Sequence, residues 1–337
     1  MKNVMLGKTG IEVRKLGFGG IPIQRVTEEQ AIDAVLYALE KGIDFIDTSR
    51  MYTTSETRIG KALSQSDKKP VIATKSFGRT ADAIRKDVDI SRRELRRDVI
   101  DIYQLHSVNT IEEYRKVTAR DGAYDGLVKA REEGVISRIG FTSHNLGILE
   151  KALDDDLFET IMVCFSFLEP DAKEKVIPKA QAKNVGILAM KPLSGGVIEA
   201  ADAALKWAFG YPDILVLVGV ESRELIDKNW NIFEGSWELT KSDLQTIDAI
   251  YQENDKIFCR RCDYCLPCPA DIPIQYVLGA RTFLKRMGPG ALKVSIFSTL
   301  WEKAENCLGC GECVTRCPYK LPIPELIKAN VEWRKQL

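Results

Sequence analysis

Short apolar runs alternate with longer stretches of helical spacing from Leu16 to Ile232. The runs Leu16–Gly19, Ile43–Asp47, Val71–Lys75, Ile100–His106, Ile136–Thr142, Thr160–Phe165, Gly186–Met190 and Ile214–Val218 read as strands. They are short and apolar throughout, as parallel strands covered on both faces should be. Between them, helices are expected over Thr27–Gly42, Thr57–Leu63, Ala81–Arg97, a stretch ending near Gly134, Leu146–Leu153, Ala172–Lys183, Ala200–Phe209 and Ser222–Ile232. The first has a capping box, Thr27 to Gln30, and a terminal glycine; Ser222 is a good N-cap for the last. Ahead of this series, Val4 and Leu6 face Ile11 and Val13 across a GKTG turn, the pattern of a hairpin over residues 1–14.

Eight strand–helix units are the number that closes a (β/α)8 TIM barrel. An open doubly wound sheet is the other α/β architecture, but no GxGxxG follows the first strand. The alternation stops near Glu238. A helix over Ser242–Glu253 then leads into a cysteine-rich stretch, so the chain divides into residues 1–235 and 236–337, with a boundary between 235 and 255.

Charge and cysteine content narrow the classes. Lys and Arg number 48, as do Asp and Glu, so the formal net charge is zero. That balance gives no electrostatic footprint for nucleic acid or an anionic membrane. No apolar segment follows Lys2 and no run is long enough to span a bilayer, so a cytoplasmic chain without a membrane partner is expected. Eight of the nine cysteines lie between Cys259 and Cys317. In a reducing compartment such clustering points to metal rather than disulfides. Cys164 stands alone at the end of the sixth strand and reads as a small buried residue, or else as a reactive thiol.

A barrel gathers the ends of its strands on one rim, where loops can surround a ligand. That rim carries Asp47, Lys75 and His106 after the second, third and fourth strands, with Tyr52 one loop turn beyond Asp47. A phenol with a pKa near ~10 is a poor acid at neutral pH. A close ammonium stabilises the phenolate, a carboxylate holds that ammonium charged, and an imidazole can hydrogen-bond a carbonyl. Taken singly, each is equally an ordinary rim or core residue.

At these positions the chain resembles the aldo/keto reductase superfamily. The resemblance is carried by GIDFIDTSRMYTTSETRIGKAL (Gly42–Leu63), VIATKS (Val71–Ser76), DVIDIYQLHS (Asp98–Ser107) and GVISRIGFTSHN (Gly134–Asn145), and covers residues 1–235. It implies a barrel that reduces an aldehyde or ketone with NAD(P)H, using Asp47, Tyr52, Lys75 and His106 as a catalytic tetrad. Tyr52 would protonate the oxygen as hydride reaches the carbonyl carbon. It also implies cofactor contacts. Gly20 and Asp47 would lie at the nicotinamide end, with Ser143 or Thr142 on the carboxamide. Lys191, Leu193 and Ser194 would follow the pyrophosphate, and Gly219, Ser222, Arg223 and Asn229 the adenosine side. Met162 departs from a glutamine common in the family, Met190 from a stacking aromatic ring, and Gly219 from a lysine of some NADP-binding members. His144 also departs from the common Asn or Phe neighbourhood. NADP(H) and NAD(H) both stay open; Arg223 tilts the choice toward NADP(H), because a guanidinium suits a phosphate.

The cysteines form two runs, CRRCDYCLPCP with Cys259, Cys262, Cys265 and Cys268, and CLGCGECVTRCP with Cys307, Cys310, Cys313 and Cys317. The second is the C-x2-C-x2-C-x3-C-P spacing of bacterial two-cluster ferredoxins; the first is one residue short before Cys268. Paired CxxC spacings also suit two zinc sites. The resemblance to a ferredoxin-like dicluster module implies a mostly helical C-terminal domain with two 4Fe-4S clusters. Cys259, Cys262, Cys265 and Cys317 would hold one, and Cys307, Cys310, Cys313 and Cys268 the other. The insert Ile272–Glu305 is expected to pack the module onto the barrel through Tyr276, Phe283, Phe297 and Trp301. An anaerobic or low-oxygen host follows from the oxygen sensitivity of exposed clusters.

The expected function is therefore reduction of a small carbonyl substrate, with clusters that brace the C-terminal domain or exchange electrons with a redox protein partner. The alternative is an electron-transfer protein whose barrel docks a redox partner or another cofactor. Carbonyl reduction by hydride needs no cluster, and no flavin motif is evident.

Overall fold

A computed structural model describes residues 2–287 and 295–336. Its strands are β1 (Asn3–Met5), β2 (Glu12–Arg14), β3 (Leu16–Gly19), β4 (Phe45–Asp47), β5 (Val71–Ser76), β6 (Ile100–Leu105), β7 (Ile136–Thr142), β8 (Thr160–Cys164), β9 (Gly186–Met190) and β10 (Ile214–Gly219). β3 to β10 are all parallel and close into a barrel, β10 returning to β3 in a register that pairs Val216 with Leu16 and Gly219 with Gly19. Helices α1 (Glu28–Lys41), α2 (Ser55–Leu63), α3 (Ala81–Leu95), α4 (Ile111–Thr118), α5 (Ala123–Glu132), α6 (Leu146–Asp154), α7 (Val176–Ala182), α8 (Ala201–Phe209) and α9 (Arg223–Glu234) wrap it. The barrel expected from the alternation is the one observed.

Side-chain parity divides the core. Alternate strand residues point to opposite faces. Phe45, Ala73, Ile102, Met162, Leu188 and Leu215 fill the interior, while Phe18, Ile46, Ile72, Tyr103 and Phe141 pack outward under the helices. The hairpin pairs Val4 with Val13, and Val4, Leu6 and Val13 join the interior cluster, closing the N-terminal end of the barrel. Gly7 makes that approach possible: its φ is +52°, and a Cβ there would fall 2.4 Å from the Asn184 carbonyl oxygen.

Two expected helices come out differently. The stretch ending near Gly134 is two helices, α4 and α5, broken where Asp121 turns to φ +61° and Gly122 caps α5. The segment from Ala172 begins as a 3-10 turn, Asp171–Lys173, and becomes α-helical only at Val176. Pro178 has no N–H to extend the helix backward, which fixes its start.

Beyond the barrel, α10 (Lys241–Asn254) lies on α8, with Ile247, Ile250 and Tyr251 near Trp207 and Lys206 paired to Asp243 at 3.0 Å. Helices α11 (Ile274–Leu278), α12 (Ala280–Met287), α13 (Ser295–Glu305), α14 (Glu312–Arg316) and α15 (Ile323–Lys335) enclose a second core with Ile272, Val277, Trp301, Leu321 and Ile327. The aromatic residues of the insert serve this core more than the barrel. Trp301 is buried beside Trp333 and Phe283 packs on the same cluster, whereas Tyr276, 55% exposed, faces Arg79 and Glu113 of the barrel as expected. The Phe297 side chain lies outside the described residues. Among the described residues no helix is long and apolar enough to cross a membrane.

One glycine sets how close α2 comes to α3, and so where the loop before α2 sits. A Cβ at Gly60 would fall 2.0 Å from the Glu94 carbonyl oxygen. Gly60→Ala gains about 1 kcal/mol of helix propensity but forces backbone apart, a change that costs about 1–3 kcal/mol or more. A net fall in the urea midpoint is expected; a stabilised variant would mean that α2 is free to move.

Candidate active site and cysteine centre

Inward parity places Asp47 after Phe45, Lys75 after Ala73, and Gln104 and His106 after Ile102. The apolar members fill the barrel, and the polar ones form its layer at the C-terminal rim. There Lys75 Nζ lies 2.5 Å from Asp47 Oδ2 and donates to the Thr48 carbonyl oxygen at 2.8 Å. Gln104 Nε2 donates to Asp47 Oδ1 at 3.2 Å. The ammonium stands 5.2 Å from the Tyr52 ring centroid, and Tyr52 meets His106 edge to face at 6.2 Å. All four expected catalytic residues are thus brought together.

Their electrostatics follow from burial and neighbours. Burial alone would lower Lys75, but the Asp47 carboxylate and the Tyr52 hydroxyl more than offset it and hold its pKa above the ordinary value. At Asp47 burial prevails over Lys75 and Gln104, and the carboxyl stands above its usual range. His106 is pushed well below its ordinary value, first by burial and then by Lys75, Arg79 and Lys191. Its ring is neutral at pH 7.

Several residues that complete the site carried little or no sequence signal. Ser49 Oγ lies 3.0 Å from both the Lys75 carbonyl oxygen and His106 Nδ1. Phe77 stacks on the His106 ring at 4.4 Å, and Arg79 donates to the His106 carbonyl oxygen at 2.8 Å. Glu56, buried on α2, accepts from Thr74 Oγ1 at 2.6 Å and pairs with Arg50, which ties the Tyr52 loop to β5. A serine and a phenylalanine in rim loops look like any loop residues. Gln104 was not singled out from the sequence, although a polar residue on the inward face of an apolar strand is a signal that could have found it.

The expected cofactor residues divide. Gly20 N–H donates to the Asp47 carbonyl oxygen at 2.8 Å, beneath the tetrad. Thr142 Oγ1 accepts from the Ser107 N–H at 2.7 Å, and Ser143 Oγ donates to Asn109 Oδ1 at 3.1 Å. Lys191, at φ +59°, reaches His144 Nε2 at 2.5 Å and Cys164 Sγ at 3.7 Å. Leu193 is half-buried, and the buried Ser194 lies 2.8 Å from Ser166 Oγ. On the far side, Gly219 ends β10, and Ser222 caps α9 by accepting from the Leu225 N–H at 3.3 Å. Arg223 forks onto Asp33 at 2.8 and 2.5 Å, so the guanidinium suited to a phosphate already holds a carboxylate. Asn229 is buried within α9, where it lines a small space with Leu16, Gly17 and Val220, apart from the other rim residues.

The first cysteine run rests on the rim. Arg261, between Cys259 and Cys262, forks onto Glu169 of the loop after β8 at 2.6 and 2.7 Å, and the pair is largely buried. Its guanidinium also lies 3.9 Å from Cys164 Sγ. Asn145 Nδ2 donates to the Cys262 carbonyl oxygen at 3.1 Å, and Tyr319 donates to Asp171 at 2.9 Å. A buried charge pair of this kind holds only while both partners stay.

All nine cysteines are free thiols. Cys262 feels the charge of Cys317 and Cys265 that of Cys259 and Cys262, whereas Cys313 feels Cys307 and Cys310. Cys268, Cys307, Cys310 and Cys313, with Cys265 beside them, line a hollow that opens partly to solvent. Each run therefore sends its last cysteine toward the other, as the two-cluster spacing requires. Burial pushes Cys259 up to about 11 and Cys265 up to about 12, so these groups become thiolates only against metal charge. Among the described residues no three Cys, His, Asp or Glu side chains converge on a single ion. Thiols ringing a cavity fit a cubane held at its corners.

Comparison with known proteins agrees with this geometry. Residues 15–202, more than half of the chain, match the aldo/keto reductase family, and residues 258–321 match the 4Fe-4S dicluster domain. L-galactose dehydrogenase of Arabidopsis thaliana is 30% identical over 216 residues, covering 57% of this chain and 66% of that protein. A probable aldo-keto reductase of Glycine max is 26% identical over 259 residues, covering 68% and 70%. An aldo-keto reductase of Bacillus halodurans, solved in its holo form, superposes with a TM-score of 0.65 at 24% identity, covering 74% of this chain and 96% of that one. One from Klebsiella pneumoniae, solved with NADPH, gives 0.63 at 19% identity over 74% and 95%, a likeness of fold. With its barrel matched over more than half of the sequence, the chain belongs to the aldo/keto reductase family and carries a 4Fe-4S dicluster domain after the barrel.

Proposed function

We propose that the protein reduces an aldehyde or ketone with a nicotinamide dinucleotide, Tyr52 acting as proton donor. The carrying observation is the buried Lys75–Asp47 contact beside Tyr52, with a neutral His106 across the same opening. A bound nicotinamide supplies the hydride that the carbonyl carbon accepts. Tyr52 gives the oxygen its proton, and Lys75 stabilises the phenolate left behind while Asp47 keeps Lys75 charged. The single Ser49 hydroxyl proton can go to the Lys75 carbonyl oxygen or to His106 Nδ1; when it turns from the carbonyl to Nδ1, His106 Nε2 carries the hydrogen that a carbonyl oxygen accepts. Phe77 holds the ring in plane for that contact.

Gly20, Thr142, Ser143, Lys191, Leu193 and Ser194 would hold the nicotinamide and diphosphate, with Gly219, Ser222, Arg223 and Asn229 on the adenosine side. The NADPH complex of the Klebsiella relative supports NADPH. Arg223 serves a 2′-phosphate only by leaving Asp33. We assign two 4Fe-4S clusters to the sets Cys259, Cys262, Cys265, Cys317 and Cys268, Cys307, Cys310, Cys313. When bound, each supplies a one-electron centre. The barrel takes residues 1–235 and the iron–sulfur domain 236–337, with α10 joining them. Cysteines kept reduced to hold clusters suit a reducing, low-oxygen cytoplasm. A second reading, electron exchange with a redox protein, is favoured by Leu308 at 71% exposure beside the exposed Cys310.

Under anaerobic conditions the cluster-loaded protein should oxidise NADPH only when an aldehyde is added. Tyr52→Phe should lower that rate about 100-fold or more and leave the visible cluster absorbance unchanged; normal turnover in the variant ends the tetrad assignment. If the cluster band bleaches on adding NADPH alone, the electron-transfer reading gains instead.

Iron and sulfide analysis should give about eight of each per chain, and Cys310→Ser about half as much, because one cubane of two loses a corner. Zinc in place of iron would overturn the cluster assignment.

The neutral His106 has a pH signature. Its folded pKa lies below the unfolded value of about 6.5, so the unfolded chain takes up the proton first. That component of stability is full above the unfolded value and is lost as pH falls through it. Between about pH 7 and 5.5 the wild-type urea midpoint should drop more steeply than that of His106→Gln. Equal slopes would mean that His106 is not held neutral.

A further inference from the structure

A helix of the iron–sulfur domain is latched across the barrel rim at one sector. β9, β10 and β3 are neighbours in the barrel, so the loops that follow them are consecutive on the rim. The loop after β3 holds Arg25, the loop after β9 runs through Ser194, Gly195 and Gly196 at φ +49°, +72° and +94°, and the loop after β10 holds Glu221. Lys285 of α12 ties two of them. Its Nζ donates to the Gly196 carbonyl oxygen at 3.0 Å, and its own carbonyl oxygen accepts from Arg25 Nη1 at 2.6 Å. Arg25 Nη2 pairs with Glu221 at 2.5 Å, which ties in the third. Gly196 leaves room for this: a Cβ there would stand 3.7 Å from the Lys285 side chain.

This latch is made of replaceable contacts. Lys285 lies 3.6 Å from Glu199, and the two side chains are 59% and 88% exposed. Exposed pairs of this kind contribute little on their own. Two cations, one from each domain, thus meet beside the loop after β9: Lys285 has exposed partners, whereas Arg25–Glu221, at 26% and 22% exposure, is the firmer pair that a doubly charged anion would have to displace. A diphosphate offers charge-assisted acceptors to both at once, and such bonds are about twice as strong as neutral ones.

We propose that Lys285 and Arg25 clamp the diphosphate of the dinucleotide against the loop after β9, so that coenzyme binding also seats α12 of the iron–sulfur domain on the barrel. This rests on the reading that the barrel binds a nicotinamide dinucleotide. Lys285 and Arg25 exchange the Gly196 carbonyl and Glu221 for diphosphate oxygens, and no bond of the coenzyme is broken.

Anaerobic calorimetry on the full, cluster-loaded chain tests it, with NADPH, reduced nicotinamide mononucleotide and inorganic diphosphate as probes. Lys285→Ala and Arg25→Ala should each weaken NADPH binding about tenfold or more, the loss of one charge-assisted hydrogen bond. Lys285→Arg should restore most of it. The mononucleotide, which keeps one of the two phosphates, should lose less affinity in the variants than NADPH does, and inorganic diphosphate should compete with NADPH less well in the variants. Cluster absorbance and circular dichroism identify any variant that fails to fold, and the Lys285→Arg rescue then decides. Wild-type binding of NADPH with unchanged affinity in all variants overturns the clamp and leaves the reductase reading intact. Wild-type protein that binds neither NADPH nor NADH overturns both.

Discussion

The ammonium of Lys75, 2.5 Å from the Asp47 carboxylate inside a closed barrel, is the contact on which the site depends. Neither charge is tolerable there alone, because an unpaired buried ion loses its hydration without replacement. The barrel supplies the pairing through register. Lys75 lies opposite Gln104 on the next strand, Gln104 holds the other carboxylate oxygen, and Gly140 beyond it has no side chain to crowd the amide. The Tyr52 loop is then secured from outside, by the buried Glu56 on a helix that Gly60 allows close to α3.

What the sequence revealed and what it withheld divide along a physical line. Features written in local period were legible: eight strand–helix units, the strand ends that carry Asp47, Lys75 and His106 to one rim, and the cysteine spacing. Features made by pairing distant residues were not. Nothing in Glu169 announces that it meets Arg261 far along the chain, or in Asp33 that it occupies Arg223. Phe77 became part of the site only when the β5 and β6 loops met, placing its ring on His106. The split between α4 and α5 hangs on one left-handed aspartate, a conformation that many sequences could take or refuse.

The cysteine domain shows how a small core is built around reactive groups. Cys265 and Cys317 are themselves buried members of that core, packed with Ile272 and Leu321. Their burial raises the cost of a bare thiolate, which makes metal binding and folding of the domain parts of one equilibrium. The same run of residues carries Arg261 to Glu169, so the cysteine loop and the barrel rim share a buried charge pair. Each domain thereby supplies half of an interaction that the other cannot leave unpaired.

The hairpin that stops the N-terminal end of the barrel has a consequence for traffic. A cylinder plugged at one end has a single doorway. Over β7 and β8 that doorway is roofed by the first cysteine run, and over the β9, β10 and β3 sector by α12. In the loops after β4 and β5, next to the tetrad, Met51 and Phe77 stand 55% and 43% exposed. A molecule that entered past these loops would meet a thioether and a phenyl ring ahead of the hydroxyl and the imidazole. It would shed water on that threshold, and its polar end would reach the tetrad already stripped of competing hydrogen bonds.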